Sequence, residues 1–343
     1  MRRNKANCDW NKPIETYNAL DIRRILVNEE VRATKPNPTV SVIMPCFNDG
    51  EYLLEAVDSI KKQTYSPIEL VIIDDGSDDE KTVNALNSIN YHNLKIIRTD
   101  HIRPAGARNR GIKESTGKYI LPLDADDIID ASYIERAVEE LETDDNLGIV
   151  YCHADLFGLQ TGKWELPDYD FKYEILDNCI FVSAVFRKED WVAVGGFCED
   201  FHYGMEDYDF WLSILELGRT VKQFDEVWFH YRIKKSSRTT EFINDYERVQ
   251  ETYSAIFSRH RDFYLTIFDT YCTELRRNLI DQIFQNRSKA TRIDELNKIV
   301  KLQTSEWCEF CEQHQKVVKR SFSLIEICVR IKHFFKRLFK KDK

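Results

Sequence analysis

Tyr119-Ile-Leu-Pro-Leu-Asp-Ala-Asp-Asp-Ile-Ile-Asp130 is the stretch from which the rest of the chain is read. A short β-prone run, Tyr119 to Leu123, empties into three carboxylates within four residues, Asp124, Asp126 and Asp127. Carboxylates this close at the end of a buried strand repel one another unless a cation joins them. The usual cation is Mg²⁺ or Mn²⁺ carrying a phosphate. The alternative is a plain strand end followed by an acidic helix cap, with Asp130 capping a helix that starts near Ser132.

Working outward, the segments before this stretch alternate between strand and helix. Residues 39–45 (TVSVIMP), 68–74 (IELVIID) and 94–98 (LKIIR) read as strands. Helices are predicted over Tyr52–Gln63, Asp79–Ile89, Pro104–Glu114 and Ser132–Leu141, and a further strand over 147–152 (LGIVYC). Val- and Ile-rich strands separated by amphipathic helices imply a parallel sheet covered on both faces, whose ligands bind at the carboxyl ends of the strands. Three strands end in polar clusters there: Pro45-Cys-Phe-Asn48-Asp-Gly50, Asp74 to Asp79, and the Asp124–Asp127 group. Arg108 and Arg110 lie on a helix near the same edge, so that acids, a divalent ion and an arginine together would hold a diphosphate. Neither GxGxxG nor GxxxxGK[ST] occurs, which weakens dinucleotide-binding and kinase-type readings.

Beyond Cys152 the alternation breaks. Residues 153–174 are aromatic, polar and loop-like, the composition of a binding surface on a rigid sheet. FVSAVFR (181–187) reads as a strand, followed by a short helix to Val194, a tight turn at Gly195-Gly196-Phe197 and a helix running to Gly218. Glu206 and Asp207 open that last helix, where the macrodipole alone would favour acids. TVKQF and EVWFHYR look like two closing strands, and residues 240–321 like helices without motifs, for example Tyr246–Tyr264 and Ile293–Val300. Residues 1–37 form a polar extension with a short helix predicted over Ile14–Val31, ended by Lys35-Pro-Asn-Pro38.

The net charge of −9 conceals an asymmetry, because Arg330–Lys343 carries +6 and leaves −15 for residues 1–329. An acidic body argues against a nucleic-acid partner. Within residues 322–343, Leu324, Ile327, Cys328, Ile331, Phe334, Phe335 and Leu338 recur at helical spacing beside a basic flank. Such a helix lies in the interface of an anionic membrane, or docks on an acidic surface of its own protein. The nine cysteines are scattered in apolar runs and read as free thiols of a reducing compartment. Cys308-Glu-Phe-Cys311 with His314 has only part of a zinc pattern and reads as two cysteines on neighbouring helical turns. The N-terminal residues lack the apolar core of a signal peptide, and no run of about 18 apolar residues is present to span a bilayer. The expected location is the cytoplasm, peripherally on the inner face of the cell membrane.

In this order the segments VSVIMPCFN (40–48), VIIDDGSDD (71–79), GARNRG (106–111), YILPLDADD (119–127), GGF (195–197), MEDYDFW (205–211) and HYR (230–232) resemble the family-2 glycosyltransferases of bacterial surface-polysaccharide synthesis. The resemblance covers about Val40 to Thr239. It implies the GT-A fold, a Rossmann-like, mostly parallel sheet flanked by helices, here with a C-terminal helical extension. The implied catalytic domain is 38–239, with a nucleotide-binding half at 38–152 and an acceptor-binding half at 153–239. The implied reaction is inverting transfer of a sugar from a UDP-sugar to a hydroxyl of a saccharide or lipid-diphosphate-linked saccharide acceptor, aided by Mn²⁺ or Mg²⁺.

Position by position, the resemblance sets Pro45 and Asn48 beside the base, Asp75 on the uracil and Arg108 on the nucleotide side. Asp124 and Asp126 match the outer acids of the DxD motif, Asp126 as metal ligand and Asp124 on ribose or metal. Asp207 matches the catalytic base, with Glu206, Asp127 and His230 as further candidates; His230 reads equally as a core histidine. The chain departs from the pattern ahead of the ARN helix, with Asp100, Ile102 and Arg103 where relatives often carry Asn and Gly. Transmembrane helices and a QxxRW element, expected of processive synthases, do not appear. The basic glycine-rich loop of a sugar-nucleotide pyrophosphorylase is missing, and a non-catalytic relative would be expected to lose Asp126 or Asp207.

Overall fold

The computed structural model describes residues 36–313 except residue 236. The predicted helix at 14–31 and the basic segment at 322–343 lie outside the described residues. Within them the chain opens with β1 (Val40–Cys46), α1 (Leu53–Lys61), β2 (Ile68–Asp74), α2 (Glu80–Ser88), β3 (Leu94–Arg98), α3 (Arg103–Glu114) and β4 (Tyr119–Pro122). Every residue of β2 is buried, and in β1 only Pro45 is partly exposed. This is why these strands are unbroken apolar runs: helices cover both faces, and each large aliphatic side chain buried contributes about 1.5–3 kcal/mol.

After β4 come β5 (Ile128–Ile129), α4 (Tyr133–Thr143), β6 (Leu147–Gly158), β7 (Gly162–Lys163), α5 (Phe171–Glu174), β8 (Val185–Arg187), α6 (Lys188–Val194), α7 (Glu206–Glu216) and β9 (Thr220–Ile233). The strand order is β3-β2-β1-β4-β8-β6-β9-β5, with β7 paired to β6. β3, β2, β1 and β4 are mutually parallel, β8 runs antiparallel between β4 and β6, and β6 and β9 are parallel. The fold is therefore the mixed α/β, mostly parallel arrangement expected of the GT-A class. Because the chain passes from β1 to β2 on one side while β4 lies on the other, the connections reverse direction between β1 and β4. The crevice at that reversal receives the Cys46–Gly50 loop and the Asp124–Asp127 group.

Several sequence expectations change. Residues 153–158 are not loop but the second half of β6, paired with β9 as far as Gly158 opposite Ile233. The polar residues disguised a period-two strand. TVKQF and EVWFHYR form one strand, whose register shifts opposite Cys152 and His153, so that a bulge absorbs Asp225 and Glu226. FVSAVFR contributes only Val185–Arg187 to the sheet, although Phe181 and Ala184 are buried. Asp130 does not cap α4: Ser132 holds the N-cap position without a side-chain bond, and the Asp130 carboxylate faces His230 instead.

α8 (Arg238–Ile243), α9 (Tyr246–Arg259), α10 (Arg261–Thr266) and α11 (Phe268–Gln313) follow. The helix expected over 246–264 breaks at His260, which turns inward to Asp209 and Glu216 of α7. Ile256 and Tyr264 join Ile175, Phe201, Tyr208, Leu212 and Leu215 in a second apolar cluster. The chain divides into one unit ending at Tyr271 and another beginning at Cys272; in the second, α11 contains Cys308 and Cys311. Among the described residues, no helix is long and apolar enough to cross a membrane.

Candidate active site

Arg108 is the centre of the site. It sits on α3, which packs so closely on the sheet that a Cβ at Gly111 would lie 2.5 Å from Ile43 Cγ2. Arg108 is 2 % exposed; Nη2 donates to Asp124 Oδ1 at 2.7 Å and Nη1 to Glu206 Oε1 at 2.8 Å. One buried guanidinium thus ties the tip of β4 to the first turn of α7, whose Glu206 lies 98 residues after Arg108 in sequence. Burial works against its charge, but Asp124 and Glu206 outweigh that and raise its pKa.

Glu206 is also buried and accepts from Arg238 Nη2 at 2.6 Å, while its Oε2 has no partner. Burial would raise its pKa; the two arginines win and hold it below the ordinary glutamate range. Beside it, burial followed by repulsion from Glu206 pushes the Asp207 carboxyl up to about 6, against the more distant Arg108 and Arg238. Asp207 Oδ1 accepts from the Tyr208 amide at 2.8 Å. The preceding residue, Met205, has φ +68°, a left-handed conformation costly for a side chain with a Cβ, and it sets the angle at which α7 presents these acids.

At the tip of β4, Asp126 Oδ2 meets Lys234 Nζ at 2.7 Å, and the same ammonium lies 3.0 Å from Asp49 Oδ1. Burial, then Asp124, raise the Asp126 pKa against Lys234; for the ammonium, burial is overcome by Asp126 and Asp49, which raise it. Asp127 points the other way, 1 % exposed, accepting from the Arg232 amide at 2.8 Å. Burial and its acidic neighbours raise its pKa well above the carboxylate range. It is a buried brace for the end of β9. His230 is fixed too, with Nδ1 2.6 Å from Asp155 Oδ1 and Nε2 3.2 Å from Asp130 Oδ1. Both of its nitrogens are engaged with carboxylates that are themselves partly exposed, Asp155 on β6 and Asp130 just after β5.

On the other side of the crevice, Asp75 Oδ1 accepts from Thr99 Oγ1 and the Ile102 amide, and Oδ2 from the Arg103 amide, each at 2.7 Å. A carboxylate offers about four lone-pair directions, so roughly one is left for a ligand. His101 and Arg103 have φ +57° and +67° in this loop, left-handed angles that Asn and Gly adopt more readily. Asn48, at φ +57°, donates Nδ2 to Asp78 Oδ1 at 2.9 Å and accepts the Asp78 amide at 3.0 Å, clamping the β1 loop to the β2 loop. Pro45 lies in β1 opposite Ile73. Exposed Phe47 lies 4.5 Å from the His101 ring, giving the crevice an aromatic wall.

Lys234, Arg238 and the Phe47–His101 pair were not singled out from sequence. The available signal was the run Arg232-Ile-Lys-Lys-Ser-Ser-Arg238, four cations in seven residues of an otherwise acidic body. Among the described residues no three His, Cys, Asp or Glu side chains come close enough to hold a metal ion. The donor set, Asp126 with Asp124 beside it, offers hard oxygens in the number that suits an ion completed by phosphates, not an all-protein cage. A cavity of about 420 Å³ lined by Phe257, Tyr264, Leu265, Phe268 and Tyr271 has no carboxylate in its wall.

The fold and this group of acids and arginines at a sheet switch point are those of an α/β protein with a polar, charged site at its strand tips. Residues 41–191 match the model of glycosyl transferase family 2. An uncharacterized glycosyltransferase of Rickettsia prowazekii is 30% identical over 241 residues, 65% of this chain and 73% of the relative. The Escherichia coli protein WfgD, described as a UDP-Glc:alpha-D-GlcNAc-diphosphoundecaprenol beta-1,3-glucosyltransferase, is 29% identical over 213 residues, 61% of this chain and 83% of WfgD. Among solved structures, residues 1–349 of S. aureus TarS in complex with UDP-GlcNAc align with a TM-score of 0.49 and 19% identity, over 59% of this chain and 60% of that one. The chain belongs to glycosyltransferase family 2.

Proposed function

We propose that this enzyme transfers one sugar from a UDP-sugar to a hydroxyl of a saccharide carried on a lipid diphosphate, forming a β linkage in polysaccharide synthesis. The observation that supports this reading is the buried Arg108 bridge, which fastens Asp124 at a strand tip and Glu206, the residue before Asp207, to one guanidinium. The WfgD description supports a lipid-diphosphate acceptor.

The uracil stacks against Phe47, with Pro45 and Asn48 beside it and Asp75 accepting its N–H through the remaining lone pair. Asp124 serves the ribose side, and Arg108 acts through the two carboxylates that it positions. A divalent ion, Mn²⁺ or Mg²⁺, held by Asp126 with Asp124, would supply Lewis-acid neutralisation of the departing diphosphate. Asp207 takes the proton of the acceptor hydroxyl as the new oxygen–carbon bond forms and the bond to the diphosphate breaks. A carboxyl raised to about 6 is ionised at neutral pH and more basic than an ordinary aspartate, which suits this work. Attack in line from the face opposite an α-linked diphosphate gives the β product.

The basic amphipathic segment 322–343 lies on the inner face of an anionic membrane, where a lipid-linked acceptor is found. A screen of UDP-sugars for Mn²⁺-dependent release of UDP, with and without a lipid-diphosphate saccharide, tests the reading. Acceptor-stimulated release from at least one donor is expected. No release from any UDP-sugar would refute it.

A further inference from the structure

Lys234 leaves the end of β9 with its side chain one-quarter exposed, and its Nζ touches carboxylates from two different strand tips, Asp126 after β4 and Asp49 after β1. The segment that delivers it is fastened. Two residues earlier, Arg232 donates Nε to the Asp126 carbonyl at 2.7 Å and Nη2 to Glu55 Oε2 at 2.5 Å, and its guanidinium stacks 4.1 Å from Phe157. The ammonium therefore occupies one oxygen of the very carboxylate assigned above to the divalent ion.

We propose that Lys234 is the resident cation of the Asp49–Asp126 pair and competes with the divalent ion, so that the metal loads together with a diphosphate and not before it. The proposal rests on the metal-binding role given to Asp126 under the proposed function. A bare ion approaching Asp126 meets a like charge already paired there, and must expel it from two ion pairs at once. A diphosphate changes the balance, because its oxygens complete the ion's coordination and offer the displaced ammonium another partner. Lys234 in this way ties metal affinity to nucleotide occupancy.

The test is Mn²⁺ binding to the full chain without turnover, read from the electron paramagnetic resonance signal of free aqueous Mn²⁺, with and without UDP. Wild type should bind Mn²⁺ weakly alone and more tightly with UDP. Lys234→Met should bind Mn²⁺ alone at least about tenfold more tightly than wild type, with a smaller further gain from UDP. Lys234→Arg, which keeps the charge, should stay near wild type. Lys234→Gln repeats the neutral test if the Met variant fails to fold by circular dichroism. A neutral variant that binds Mn²⁺ no better than wild type, or an Arg variant that gains as much, overturns the competition while leaving the metal role intact. Failure of wild type to bind Mn²⁺ even with UDP overturns that role and the competition with it.

Discussion

Two adjacent acids at the start of α7 have opposite electrostatic fates. Glu206 is held ionised by Arg108 and Arg238, and its fixed negative charge helps to raise Asp207 beside it. If Asp207 is the base, kcat/KM should fall on an acid limb with an apparent pKa near 6, since the rate is lost as the carboxylate gains a proton. A pH–rate profile flat from pH 7 to 5 would contradict this assignment. Arg108→Met removes the cation from two carboxylates, one of them fully buried, and should destabilise the fold by about 3–5 kcal/mol in urea denaturation. A loss under about 1 kcal/mol would mean that the bridge is ornamental. The acids themselves were legible, because strand tips and a helix start are local features. Their partners were not, since the contact between Arg108 and Glu206 spans 98 residues and no local pattern announces it. Asp75 and His230 were found by motif, yet only the structure gives their hydrogen-bond partners.

Among the elements, β2 and β3 fall where the apolar runs end, because turn residues bound both. β6 is expected only as far as Cys152 and β9 as two strands, whereas they run 12 and 14 residues, because polar residues interrupt the apolar pattern that marks a strand in sequence. The packing of α3 makes a sharp prediction at Gly111. Alanine would gain roughly 1 kcal/mol of helix propensity, but overpacking against Ile43 and Ile73 costs about 1–3 kcal/mol. Gly111→Ala should therefore be a net loss, and a raised denaturation midpoint would show that the helix can shift outward. The seam between α7 and the α9–α10 break depends on His260. Burial disfavours its charged form, but hydrogen bonds to Asp209 and Glu216 outweigh this and raise its pKa above the ordinary 6.5. Charged His260 then adds stability that is complete below pH 6.5 and is lost as pH climbs through the raised value. The stability difference between wild type and His260→Ala should be larger at pH 6 than at pH 9; a difference that grows with pH would reverse the account.

For the whole molecule, the mostly parallel sheet and family membership were readable because an ordered set of short motifs survives where each alone is weak. The body and the basic tail divide the proposed work, chemistry in the first and location in the second. Deletion after Ser321 should release the chain from anionic vesicles while UDP affinity is kept, and a truncated chain that still sediments with vesicles would remove the tail from the account. Everything else depends on Asp207 standing against the acceptor while strand tips hold the donor. The most direct measurement is sugar transfer by Asp207→Asn at saturating donor and Mn²⁺, with UDP affinity determined on the same protein. The account predicts a loss of about 10²–10⁴-fold in kcat with UDP affinity unchanged. Turnover within about twofold of wild type would contradict it.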